Sequence, residues 1–164
     1  MPITRPVRKY VAIRRIFDLK GTMDGAVKVV YIENYNYYWG GLICGGVDLW
    51  MNTPEQTREA SGTSGMKAAL NGIPSLSVLD GWWIEGHLEG VTGWAIEAGA
   101  GRDQDAAHSI YDKLEHVILP LYYKSPEQYA AVMRSAIALN GSFFNTQRML
   151  LQYIFNAYSG HGVP

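Results

Sequence analysis

The residues of this chain best equipped for chemistry crowd into Glu59-Ala-Ser-Gly-Thr-Ser-Gly-Met-Lys67, which runs directly into Ala-Ala-Leu-Asn71-Gly72. Glycines, serines and a threonine just ahead of a helical apolar pattern let the backbone turn tightly and aim free N–H groups outward. The first amides of a helix have no internal partners and carry the positive end of its dipole, so a phosphate or carboxylate is stabilised there. Lys67 falls within about the first helical turn, in reach of that anion or of a carbonyl beside it.

Spelling tests the familiar lysine motifs. A nucleotide P-loop needs Gly-Lys followed by Ser or Thr, but Met66 separates Gly65 from Lys67 and Ala68 follows, so the metal-binding hydroxyl is missing. Ser64-Gly-Met-Lys67 spells the Ser-x-x-Lys of penicillin-recognising acyl enzymes, yet the companion Lys-Thr-Gly and Ser-Asp-Asn signatures do not occur. A glycine-rich strand-to-helix turn bearing a solvated lysine remains the bland alternative.

The elements that must position this segment alternate between strand and helix, an α/β signature. Val27 to Ile32 is a β-branched run that predicts a buried parallel strand, and Asp48 to Met51, Ser75 to Leu79 and Trp94 to Ile96 predict further strands. Helices are predicted over Tyr37 to Ile43 and Gly65 to Leu70, the latter closed by Asn71-Gly72 with Pro74 beyond. Apolar spacing predicts three more, over Asp103 to Leu119, Pro126 to Leu139 and Phe144 to Tyr158. In an open α/β sheet ligands gather beyond the carboxyl ends of the strands, which is where the Glu59 to Lys67 loop would fall.

Composition narrows the classes. With 164 residues, 48% of them hydrophobic, the chain reads as a single globular domain spanning 1–164. A net charge of -1 gives no field to gather nucleic acid or anionic lipid, and the basic run from Arg5 to Lys20 reads as a solvated helix face. The single cysteine, Cys44, excludes an internal disulfide, suits a reducing cytoplasm and, among Leu42, Ile43 and glycines, reads as an inert core thiol. No signal peptide opens the chain and no stretch of about 20 uncharged apolar residues could span a bilayer, so a soluble, cytoplasmic protein is expected.

Other residues receive structural readings. His87, His108, His116 and His161 are too scattered for a metal pattern. Glu85 and Glu89 lie in a glycine-bearing loop that fixes no carboxylate separation, so they do not read as a glycosidase pair. Trp82 and Trp83, with Trp94 nearby, could stack on sugar rings but read first as packing under the loop; Tyr37, Tyr38 and Trp39 could line a groove but read first as core packing.

The segment Glu59 to Gly72, followed by Leu79-Asp-Gly-Trp-Trp-Ile-Glu-Gly86, resembles the pyridoxal-phosphate region of the α-glucan (glycogen, maltodextrin) phosphorylases, most closely the short prokaryotic type. Val29-Val-Tyr-Ile-Glu-Asn-Tyr35, Gly46-Val-Asp-Leu-Trp50, Leu114 to Tyr123 and Asn140 to Met149 extend the likeness over nearly the whole chain from Ile13 onward. The animal-type spelling Gly-Thr-Gly-Asn-Met-Lys stands here as Gly62-Thr-Ser-Gly-Met-Lys67, which retains small residues.

The resemblance implies a Rossmann-like parallel sheet flanked by helices, the C-terminal part of a GT-B glycosyltransferase-type fold. It implies pyridoxal phosphate as cofactor, with Lys67 as its Schiff-base lysine, the amides of Thr63 and Ser64 on its phosphate, and Tyr35 lying against it. Glu59, Ser61 and Gly62 would line the sugar subsite. Inorganic phosphate and an α-1,4-glucan are then the substrates, and the cofactor phosphate acts as a proton relay. No complete catalytic set is expected in this chain, because the domain forming the other half of the cleft precedes it in full-length enzymes. The expectation is a C-terminal fragment, inactive alone, whose first partner is the missing N-terminal portion; self-association into a homo-oligomer is left open. A non-catalytic module binding pyridoxal phosphate or glucan, and a structural or interaction remnant, are the alternatives.

Overall fold

The computed structural model of the protein describes residues 28–58, 62–97 and 103–158. The chain divides into two units, Met1–Asn36 and Tyr37–Pro164. In the first unit, residues 28–32 form neither helix nor strand ladder, and a bend follows in which Asn34 takes a φ of 52°. The strand expected over Val27 to Ile32 is therefore not present among the described residues; Val27 lies outside them. β-branched side chains favour an extended backbone, but a strand also needs a neighbour to complete its hydrogen bonds.

The second unit builds the expected α/β architecture. Helix α1 (Tyr37–Gly46) leads to strand β1 (Trp50–Asn52), helix α2 (Thr63–Leu70), strand β2 (Ser75–Val78), the short helix α3 (Trp83–Gly86) and strand β3 (Gly93–Ile96). Three longer helices follow. Helix α4 covers residues 103–124, with a π-helical stretch at Lys113–Ile118; α5 covers 126–141, with one at Ala136–Gly141; α6 covers 146–158, with one at Ile154–Tyr158. The strands pair in parallel in the order β1-β2-β3, Trp50 opposite Ser75 and Ser75 opposite Gly93.

β2 and β3 are buried along their whole length, as parallel strands covered on both faces must be. Alternate side chains point to opposite faces. Leu76, Val78, Trp94 and Ile96 meet Ile118 of α4 and Tyr129 and Val132 of α5 in the main core. Leu76 is fully buried and contributes roughly 1.5–3 kcal/mol by leaving water. Trp94 stacks on Tyr129, whose hydroxyl donates to the Asp48 carbonyl at 2.5 Å and ties α5 to the turn entering β1. The other face carries small residues: a Cβ at Gly93 would stand 2.2 Å from the Ser75 carbonyl oxygen and 2.9 Å from Cη2 of Trp83.

The edge of β3 turned away from β2 is closed by its own chain. Gly90 N–H donates to the Gly93 carbonyl at 2.8 Å, the Glu89 carboxylate accepts from Ala95 N–H at 2.9 Å, and Ser109 Oγ accepts from Glu97 N–H at 2.9 Å. Covering edge groups in this way removes a template for stray pairing. Trp82 and Trp83 are buried, as expected, whereas Tyr37, Tyr38 and Trp39 are not core residues: they are 94%, 60% and 39% exposed. α1 is apolar around its circumference, so composition alone could not tell which face turns inward; Cys44 is its only buried residue.

Candidate functional site

The loop-to-helix segment singled out in the sequence folds as α2 and its approach. Gly62 is the N-cap, with φ 78° and ψ 77°, a left-handed conformation that glycine adopts without steric cost. Having no side chain, Gly62 caps nothing, and among the described residues no side chain bonds the first amides of α2, those of Thr63 and Ser64 among them. The helix starts two residues before the expected Gly65, which moves Thr63 and Ser64 from the turn into its first coil.

Its far end closes as the sequence foretells. Gly72 N–H donates to the Ala69 carbonyl and Ile73 N–H to the Ala68 carbonyl, both at 3.0 Å, with Gly72 at φ 77°. This is the Schellman arrangement, and Asn71 Nδ2 adds a bond to the Lys67 carbonyl at 2.8 Å.

α2 rests on a small apolar bed. Ala69 packs with Trp82 and Trp83, and Met66 and Phe144 lean on the same cluster. Behind it, the π-helical end of α5 comes close: a Cβ at Gly141 would lie 3.4 Å from Leu70 Cδ2. Cys44 Sγ donates to the Ser64 carbonyl at 3.9 Å. Burial pushes the Cys44 thiol up and the positive charge of Lys67 opposes the rise. Because the helix starts earlier than expected, Lys67 stands in the last turn of α2 and not in its first. Lys67 itself is exposed, and among the described residues its ammonium group makes no ion pair or hydrogen bond.

The segment leading to the site is tied to the carboxyl end of β2. Gln56 Nε2 donates to the Leu79 carbonyl at 3.0 Å and Thr57 N–H to Asp80 Oδ1 at 3.3 Å, Thr57 taking a φ of 64°. Asp80 Oδ2 is a buried oxygen without a partner among the described residues. A site at the strand ends of an open sheet is the arrangement such folds use for ligands.

Of the residues singled out for chemistry, Gly62, Thr63, Ser64 and Lys67 come together on α2; Glu59 and Ser61 lie outside the described residues; Tyr35 belongs to the first unit. Glu89 is engaged in structure, held by Lys113 Nζ at 2.5 Å, His87 Nε2 at 2.8 Å and Ala95 N–H, while Glu85 is exposed. Among the described residues no three His, Cys, Asp or Glu side chains are grouped to hold a metal ion, and no helix is long and apolar enough to cross a membrane. Trp82 packs under this segment, as expected, but the sequence did not say which residue it would meet. Its ring lies directly under Gly65 of α2, a contact between positions 65 and 82 that no local motif announces.

A parallel α/β sheet with a glycine-led helix start and an exposed lysine in that helix defines a lysine-bearing α/β protein whose helix start suits an anion. A family model described as carbohydrate phosphorylase matches residues 8–158, and the chain belongs to that family, whose fold is of the GT-B type. It is 39% identical over 155 residues to glycogen phosphorylase of Aquifex aeolicus, covering 90% of this chain and 22% of that protein. It is 37% identical over 153 residues to maltodextrin phosphorylase of Thermococcus litoralis, covering 90% and 18%, and 33% identical over 143 residues to glycogen phosphorylase of Mycobacterium tuberculosis, covering 80% and 16%. The chain thus spans about a fifth of the length of these relatives.

Proposed function

We propose that the chain is the C-terminal, cofactor-holding part of an α-1,4-glucan phosphorylase, an enzyme that splits glycogen or maltodextrin with inorganic phosphate to release glucose 1-phosphate. Family membership and relatives named glycogen and maltodextrin phosphorylase support the reaction class. The single observation that carries the site is the exposed Lys67, unpaired among the described residues, one turn into a helix whose glycine N-cap offers no side chain to the first amides.

Pyridoxal phosphate is the cofactor the family implies, and the residues present suit it. The amides of Thr63 and Ser64 and the dipole of α2 would hold its phosphate dianion, and Lys67 would be its covalent anchor. When bound, the group supplies a phosphate able to exchange a proton with inorganic phosphate. By the likeness to the family, Gly62, Glu59 and Ser61 would offer hydrogen-bond donors and acceptors to hydroxyls of the glucosyl unit. The rest of the relatives' length supplies the other wall of the cleft, so this chain holds cofactor and turns over no glucan by itself. The setting is cytoplasmic, where glucan stores and free phosphate meet.

Incubation with pyridoxal phosphate, borohydride reduction and peptide mass mapping tests the reading. One stoichiometric phosphopyridoxyl adduct on Lys67 is expected, and labelling scattered over several lysines, or none, overturns it. Addition of the missing part of a relative should then restore glucose 1-phosphate release.

A further inference from the structure

We propose that Trp82 sets the phosphate selectivity of this site by serving as the floor on which the first turn of α2 rests. The inference depends on the reading of α2 as the cofactor's phosphate seat and names the residue that aims it. Gly62 contributes no side-chain cap, so among the described residues no side-chain hydrogen bond to the first amides fixes their direction. Packing must do so instead.

The contact is close and specific. A Cβ at Gly65 would stand 2.9 Å from Cζ2, 3.1 Å from Nε1 and 3.2 Å from Cε2 of Trp82, so the helix backbone lies on the indole itself. The opposite end of the same ring is held equally tightly: a Cβ at Gly86 would meet Cζ3 at 2.8 Å and Cε3 at 3.0 Å. Phe144 meets the ring edge-on with centroids 5.1 Å apart, and Trp83 lies against it at 5.1 Å. Trp82 is 6% exposed and thus has almost no freedom to slide. Gly65 in the first turn of α2 and Gly86 at the end of α3 are therefore two faces of one slot filled by one indole. Raising, lowering or tilting that plate re-aims the amides of Thr63 and Ser64. Trp82 is a positioning residue, since it acts on the anion through the backbone of α2.

Selectivity between pyridoxal phosphate and pyridoxal reads out this role, because both aldehydes can reach Lys67 and only one carries the anion. The adduct on Lys67 is quantified by borohydride trapping over a concentration series for each aldehyde in the wild-type chain and in Trp82→Phe, Gly65→Ala and the double variant. Trp82→Phe removes the atoms beneath Gly65 without adding volume, and is expected to lower the preference for the phosphorylated aldehyde about tenfold while leaving the reaction with pyridoxal unchanged. Gly65→Ala lifts the helix off the ring and is expected to do the same; in the double variant the smaller ring makes room for the methyl group and restores part of the preference.

Retained wild-type preference in folded Trp82→Phe overturns the proposal, and so do losses in the two single variants that simply add in the double. Absence of a preferred adduct on Lys67 in the wild-type chain overturns instead the cofactor reading, and this inference with it. Should Gly65→Ala fail to fold by circular dichroism, Trp82→Phe alone decides.

Discussion

Lys67 is exposed and unpaired among the described residues, an arrangement that costs nothing in stability and leaves the amine available. Lys67→Ala should change the unfolding free energy by less than about 0.5 kcal/mol while removing the pyridoxal phosphate adduct, a separation measurable by urea melts and mass mapping. Glu89 behaves oppositely. Burial pushes its carboxyl up, but hydrogen bonds from Lys113, Ala95 N–H and His87 outweigh burial and hold it below the ordinary carboxylate value. A depressed folded value means that its contribution is full above the unfolded carboxylate pKa of about 4.3 and disappears as pH falls through the lower folded one. Glu89→Gln should destabilise the chain by about 1 kcal/mol at pH 7, given a side chain nearly half exposed, and the difference from wild type should vanish in melts at acid pH. Cys44, buried and with its thiol held above the usual range, should alkylate slowly with iodoacetamide at pH 8 and rapidly once urea unfolds the chain.

At the scale of elements, two glycines stand where a side chain would be strained or excluded. Gly93 sits where β3 crosses the Ser75 backbone, and Gly93→Ala would drive a methyl group to 2.2 Å from the Ser75 carbonyl oxygen. Loss of the β2–β3 ladder is expected, with destabilisation above about 3 kcal/mol in denaturant melts. Gly72 ends α2 at φ 77°, and Gly72→Ala should cost about 1–2 kcal/mol from the left-handed backbone and the crowded Ile137 side chain. The end of α2 was legible in the sequence, because Asn71-Gly72 with Pro74 has a local stereochemical meaning. The strand expected over Val27 to Ile32 was not: propensity is local, whereas strand pairing is a contact with distant chain. The same distinction explains the exposed Tyr37, Tyr38 and Trp39, whose type suits a core and whose position denies them one.

On the scale of the whole molecule, α6 leaves Met149, Leu150, Leu151, Tyr153, Ile154, Phe155 and Tyr158 between 42% and 81% exposed. An apolar surface of that extent is unusual on a self-sufficient soluble domain. The chain is therefore expected to bind 1-anilinonaphthalene-8-sulfonate in its native state, and Leu150→Glu with Phe155→Glu should reduce that fluorescence without loss of helical circular dichroism.

By itself the sequence determined the α/β class, the helix stop after Leu70, the lysine-bearing segment and its likeness to the phosphorylases, since each depends on residue types at short, fixed spacing. Only the tertiary structure decided that Glu89 is spent on the edge of β3, that the approach to the site is pinned to Leu79 and Asp80, and that one indole underlies Gly65 and Gly86. Those facts depend on three-dimensional contact, and spacing along the chain does not reveal which groups burial will press together.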